Sequence, residues 1–145
     1  IATAFVLTAS IAQADLKPAV VYDAAGKNDK SFNEAVFNGI TRFMNDTGIA
    51  VTELEPTNEA QMEQSLMKLA QRGYSPIVAV GFTFAGPLTV AAEEYPDTSF
   101  TLIDMVVGLP NVQNVIYKEH EGSFLVGVLA AMNSKTGTVG FVGGM

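Results

Sequence analysis

The feature that most constrains this chain is a regular alternation of short, continuously apolar runs with longer amphipathic stretches. Ala19–Asp23 reads AVVYD, Ile49–Leu54 is a second run, Pro76–Gly81 reads PIVAVG, Ser99–Asp104 reads SFTLID, and Val112–Tyr117 is a fifth. Strands that are apolar at consecutive positions are buried on both faces, as in parallel sheets covered by helices. Between the runs the spacing turns helical: Val36, Ile40, Phe43 and Met44 share a face, as do Met62, Leu66, Leu69 and Ala70. A third helix is expected over Phe84–Tyr95 with Pro87 in its first turn, and a fourth over Glu121–Asn133 with Phe124, Leu125, Val128, Leu129 and Met132 apolar. Ser31-x-x-Glu34 matches a capping box, Asn58 or Thr57 fits the next cap, and Gly48 and Gly73 are stop signals. The pattern predicts an α/β domain built on a doubly wound parallel sheet.

Both ends read differently. Ile1–Ala14 carries no charge and closes on Ala12-Gln13-Ala14, the pattern of a secretory signal peptide with its cleavage site; a buried first element is the alternative. The run is shorter than the ~20 apolar residues that span a bilayer. It lacks an initiator Met and a basic lead, so the start reads as clipped and 1–14 as a signal-peptide remnant. Gly137–Met145 reads as a strand entering a glycine turn, so the chain is expected to be an N-terminal fragment.

Composition removes whole classes of function. Fifteen acidic against eight basic side chains, net −7, argue against nucleic acid and anionic membrane as partners. Without cysteine there are no disulfides, thiolate metal sites or thiol nucleophiles, and the single histidine, His120, reads as a surface or capping residue. No metal and no cofactor are expected. There is no phosphate-binding G-x-x-x-x-G-K-[ST] loop and no G-x-S-x-G elbow, and Gly140–Gly144 lacks the opening of a dinucleotide loop.

Ligands of open parallel sheets lie beyond the carboxyl ends of the strands. Three polar features are expected there: Asp23 with the loop Ala24–Lys30, the turn Gly81-Phe82-Thr83-Phe84, and Asp104 with Met105. The first loop gathers Gly26, Asn28, Asp29, Lys30 and Ser31 just before Phe32 and Asn33 at a helix start. An aromatic ring beside donors and acceptors suits a flat ligand with hydrogen-bonding edges. Blander readings stay open. Phe32 equally fits a staple onto the sheet, Asp23 and Asp104 fit turn formers, Asp29 and Lys30 a solvated pair, and Phe82 and Phe84 fit the core. Asp23 and Asp104 also fit an acid/base pair or a magnesium site in an α/β enzyme.

Asp29–Asn33 is D-K-S-F-N after an acid-ending strand and a Gly-containing loop; Ala79–Phe82 (AVGF), Phe100–Asp104, Glu121–Gly127 (EGSFLVG) and Lys135–Met145 follow in order. These segments resemble the basic membrane protein family of ABC-transporter substrate-binding proteins, which includes purine-nucleoside receptors. The resemblance implies a type I periplasmic-binding fold, two flavodoxin-like lobes that hinge shut on ligand. On that pattern 15–117 is the N-terminal ligand-binding lobe, and 118–145 is the crossover and start of a second. It also implies that Phe32 stacks on a base, that Asp23, Asn33 and Asp104 contact base or ribose, and that Asp29 and Ser31 bind ligand or hold the loop. With Asn28, Gly81 and Phe82 these form the candidate ligand-binding set. The implied protein is not an enzyme. It is a periplasmic monomer, not lipidated because Ala14-Asp15 stands where many relatives carry a lipidated Cys, that delivers a nucleoside to an ABC permease and ATPase. A periplasmic sensor subunit of the same fold is the nearest alternative.

Overall fold

Ala19, Val20 and Val21 are all fully buried, which a strand achieves only with a neighbour on each side and a layer on each face. They form β1 (Ala19–Val21), flanked in parallel by β2 (Thr52–Leu54) and β3 (Ile77–Val80). β4 (Phe100–Ile103) and β5 (Val112–Val115) extend the sheet beyond β3, giving the order β2-β1-β3-β4-β5 with every pairing parallel. The computed structural model describes residues 16–143, so the expected leader at 1–14 lies outside them. The described residues fall into two compact units, one ending at Val115 and the other beginning at Ile116.

Alternate strand residues divide between two layers. Ala19, Val21, Ile77, Ala79, Phe100 and Leu102 pack with Met62, Leu66, Leu69 and Ala70 of α2 (Glu59–Gln71) and Leu88, Ala91 and Ala92 of α3 (Ala85–Glu94). Val20, Tyr22 and Val80 face the other way, onto Phe32, Val36, Phe37 and Ile40 of α1 (Phe32–Thr47). The expected α1 face is therefore shifted: Val36 and Ile40 hold, whereas Phe32 and Phe37 replace Phe43 and Met44 against the sheet. Each fully buried Leu or Phe in these layers contributes roughly 1.5–3 kcal/mol, so the two faces carry the fold.

Two of the expected helix stops and starts form as read. Gly48 closes α1 at φ 71°, and Asn58 Oδ1 accepts the Gln61 N–H at 3.0 Å to open α2. The capping box at Ser31 does not form, because no Ser31 side-chain bond reaches the helix. Asp29 does that work instead, as described below. α3 is entered through a single 3-10 turn over Phe82–Phe84, which buries Phe84 and leaves Phe82 52% exposed. Phe84 is thus core as one reading had it, and Phe82 is not. Beyond β4 the chain is clasped by amides: Asn114 accepts the Val107 N–H and donates to its carbonyl, at 2.8 and 3.0 Å.

The second unit consists of α4 (Glu119–Asn133), which starts two residues earlier than its sequence pattern suggests, and the segment after it. No residue of α4 is buried, and Phe124, Leu125, Val126, Leu129 and Met132 are all more than 60% exposed. The strand expected from Gly137 is absent over 137–143, which carries no regular structure. Its Val139 and Phe141 instead line a hollow of about 540 Å³ with Ser123, Val126 and Gly127 of α4.

Candidate functional site

The strand order creates the site. β1 connects to α1 on one face, whereas β3 leads into α3 on the other, so the loops leaving their adjacent carboxyl ends part. Such a point of divergence is where open α/β sheets bind ligands. From the β1 side come Asp23 and the first turn of α1; from the β3 side comes Gly81.

Asp23 follows the last core residue of its strand and is half-buried. Its Oδ1 accepts the Ala25 N–H at 2.9 Å, forming the turn, and the Asn33 Nδ2 at 2.6 Å. Asn33 is wholly buried at the second position of α1, and its Oδ1 is buried without a hydrogen-bond partner. An ionised Asp23 fixes that amide with nitrogen toward the carboxylate, since the opposite rotamer would set two acceptors face to face. Gly81, just past β3, adopts φ 106°, a region essentially reserved for glycine. A Cβ there would lie 3.4 Å from Asp23 Oδ2 and 3.8 Å from Phe32 Cε1, so strand end, carboxylate and ring converge. Phe32 itself is half-buried: its ring packs against the Val20, Tyr22 and Val80 cluster and keeps part of its surface outward. It is a staple onto the sheet that leaves part of one face uncovered.

Asp29 is committed to the backbone. Its two oxygens accept the N–H groups of Ser31 (2.8 Å), Asn33 (2.9 Å) and Glu34 (3.0 Å), the orphan donors of the first helical turn. Partial burial pushes its carboxyl up, but the amides of Asn33, Glu34 and Ser31, helped by the Asn33 side chain, outweigh this and hold it below the usual carboxylate range. Its role is to build the turn that presents Phe32 and Asn33. Ser31 and Asn28 are exposed at the loop surface, and neither side chain makes a hydrogen bond. Asp104 follows β4 in a left-handed conformation, φ 74°, and donates its N–H to the Val115 carbonyl at 2.8 Å, while Gly81 N–H reaches the neighbouring Ile103 carbonyl at 3.0 Å. The structure thus joins Asp23, Phe32, Asn33 and Gly81 directly, with Asp29 behind them and Phe82 and Asp104 on adjoining strand ends.

A group that sequence spacing did not single out borders this mouth. Tyr22, Lys27, Glu53, Glu55 and Phe37 interlock between β1, the following loop, β2 and α1. Only the acidic Glu53 and Glu55 near the end of the second run signalled it. Among the described residues no three His, Cys, Asp or Glu side chains gather as metal ligands would, and no helix is long and apolar enough to cross a membrane.

Five parallel strands covered by helices on both faces define an α/β unit of the periplasmic-binding class. Comparison with known proteins makes this specific. Residues 16–145 match the Bmp family model, ABC transporter substrate-binding protein PnrA-like, and the chain belongs to that family. A crystal structure of an ABC transporter system solute-binding protein from Aeropyrum pernix K1 is similar at TM-score 0.76 and 34% identity, over 80% of this chain and 32% of that one. An uncharacterized lipoprotein of Pyrococcus abyssi is 35% identical over 90% of this chain and 34% of its own length. The ABC transporter nucleoside-binding protein BmpA of Lactococcus lactis subsp. cremoris is 30% identical over 95% of this chain and 41% of its own length. The chain therefore spans 34% to 41% of the length of these curated relatives. Family membership sets it among the substrate-binding proteins of ABC transporters rather than among enzymes.

Proposed function

We propose that the chain supplies the N-terminal lobe of an ABC importer's substrate-binding protein, and that this lobe holds a nucleoside, a purine nucleoside foremost. On this reading the lobe runs to about Tyr117, and 118–145 crosses over to begin a second lobe that closes on the ligand. The observation that carries the reading is the half-buried Phe32 ring set against the Asp23–Asn33 pair at the divergence of β1 and β3. A flat base stacks on the ring, while the carboxylate, which only accepts hydrogen bonds, takes ring N–H or hydroxyl donors. Asp104 and Phe82 contribute from the neighbouring strand ends, with Asn28 and Ser31 at the rim. The nucleoside-binding name of the Lactococcus relative supports the ligand class.

The proposed setting is the periplasm, with a permease and ATPase as partners and a monomeric protein as carrier. A diffusing rather than lipid-held form runs against the lipoprotein name of the Pyrococcus relative, and the mass of the mature protein separates the two. The deciding experiment is calorimetric titration of the intact gene product, stripped of co-purified ligand, with adenosine, guanosine, inosine, uridine and ribose. One-to-one binding of a nucleoside with ribose silent is expected. Binding of ribose alone, or of none, would sink the nucleoside assignment.

A further inference from the structure

The loop that carries the site is tied to the edge of the sheet by side chains that take no part in the proposed ligand contacts. Tyr22, wholly buried, donates its hydroxyl to Glu53 Oε2 at 2.9 Å. The same oxygen meets Lys27 Nζ at 3.2 Å, and that ammonium lies 4.0 Å from Glu55 Oε1 and 5.0 Å from the centre of the Phe37 ring. Glu55 Oε2 in turn accepts the Lys27 backbone N–H at 3.1 Å. It also crowds Gly26, where a Cβ would fall 2.9 Å away. One lysine is thereby held by Glu53 of β2 and by Glu55 just beyond it, and by α1 through an aromatic face, with Tyr22 next to β1 steadying the shared carboxylate.

This differs in kind from an ordinary surface pair. Arg42 and Asp46 on α1 are 85% and 65% exposed, and such pairs contribute little because both partners stay hydrated. Lys27 and Glu53 are only 27% and 19% exposed. Glu53 stands opposite Val20 in the register, on the sheet face that Tyr22 shares, so the carboxylate is delivered beneath the loop by strand pairing. Burial, together with the Glu53 bond and the charges of Glu53 and Glu55, raises the Tyr22 pKa, so its hydroxyl stays a donor at any physiological pH.

We propose that Lys27 latches the loop between β1 and α1: it is a positioning residue that fixes Asp29 two residues on, hence the Phe32–Asn33 turn, and so slows ligand release. The effect on ligand rests on the nucleoside reading above; the latch itself does not. The test uses the intact gene product with Lys27→Met, which keeps the stem and removes the charge, and Lys27→Arg, which keeps the charge. Amide hydrogen exchange over 24–34 and the dissociation rate of inosine are measured. In Lys27→Met, exchange over 24–31 is expected to rise about tenfold while β3, β4 and α2 keep their rates. Inosine dissociation is expected to rise roughly five- to thirtyfold with association nearly unchanged, and Lys27→Arg to restore both. Unchanged exchange in Lys27→Met overturns the latch. Faster exchange with unchanged dissociation overturns its positioning role. If wild-type protein binds no nucleoside, the ligand assignment falls while exchange alone still decides the latch. Should Lys27→Met not fold, Glu53→Gln, which retains the Tyr22 bond, is expected to give the same changes at smaller size, and its failure to do so refutes the proposal.

Discussion

At the scale of single residues, Phe32 on the first turn of α1 and Asp29 in the loop before it divide the labour. Phe32→Ala removes the proposed stacking surface while keeping the Asp23 and Asn33 side chains, and is expected to weaken nucleoside binding by roughly 1–3 kcal/mol in a titration. Unchanged affinity would leave Phe32 as a staple only. Asp29→Asn makes a different kind of change, since three backbone amides lose an ionised acceptor. The Asp29 carboxyl is held below its ordinary pKa in the fold. Its stabilisation is therefore present above an unfolded value of about 4 and lost as pH falls through the lower folded value. Wild type should unfold at higher denaturant than Asp29→Asn at neutral pH, with the gap closing in acid; a gap independent of pH would contradict this. The nearness of Asp23, Phe32 and Asn33 was legible in the sequence because the three are local, whereas Gly81 joins them only once β1 and β3 pair. The identity of the cap was not. Ser31 and Glu34 satisfy the capping template in spacing, yet the longer reach of Asp29 from outside the helix takes the same amides first.

At the scale of elements, the strands and helices could be read because each obeys a local rule: apolar continuity for a doubly covered strand, three-and-four spacing for a helix. What lay between them could not. The 3-10 turn after β3 decides that Phe84 is core and Phe82 is exposed, and no spacing distinguishes two aromatics one residue apart from their partner. The Lys27 group joins residues 26 to 31 positions apart in the chain, so it exists only once β1 and β2 are paired. The β3 end gives the clearest element-level prediction. Gly81→Ala forces a side chain into φ 106° and toward Asp23 and Phe32. It is expected to lower stability by about 1–3 kcal/mol in denaturant unfolding and to weaken ligand binding as well. A neutral result would mean that the turn relaxes and that the close approach is not needed.

At the scale of the whole molecule, the unit ending at Val115 has its own two-sided core, whereas α4 buries nothing. A helix apolar on every side belongs inside a larger assembly. Residues 16–115 expressed alone are expected to unfold cooperatively, and the 145-residue chain to bind a hydrophobic dye and self-associate, the more weakly when Leu125 and Leu129 are both made Gln. Equal dye binding by the two pieces would place the sticky surface elsewhere. The strand order carries a consequence for how such a chain is made. β1 is synthesised first yet lies inside the sheet, and its partners arrive only with Thr52–Leu54 and Ile77–Ala79. A ribosome-held chain that stops short of Val80 therefore exposes its most apolar strand along at least one bare edge. Pairing across such sequence distances is slow and prone to mispairing. Nascent chains of this lobe should thus need a holding chaperone until β3 has emerged, and not afterwards.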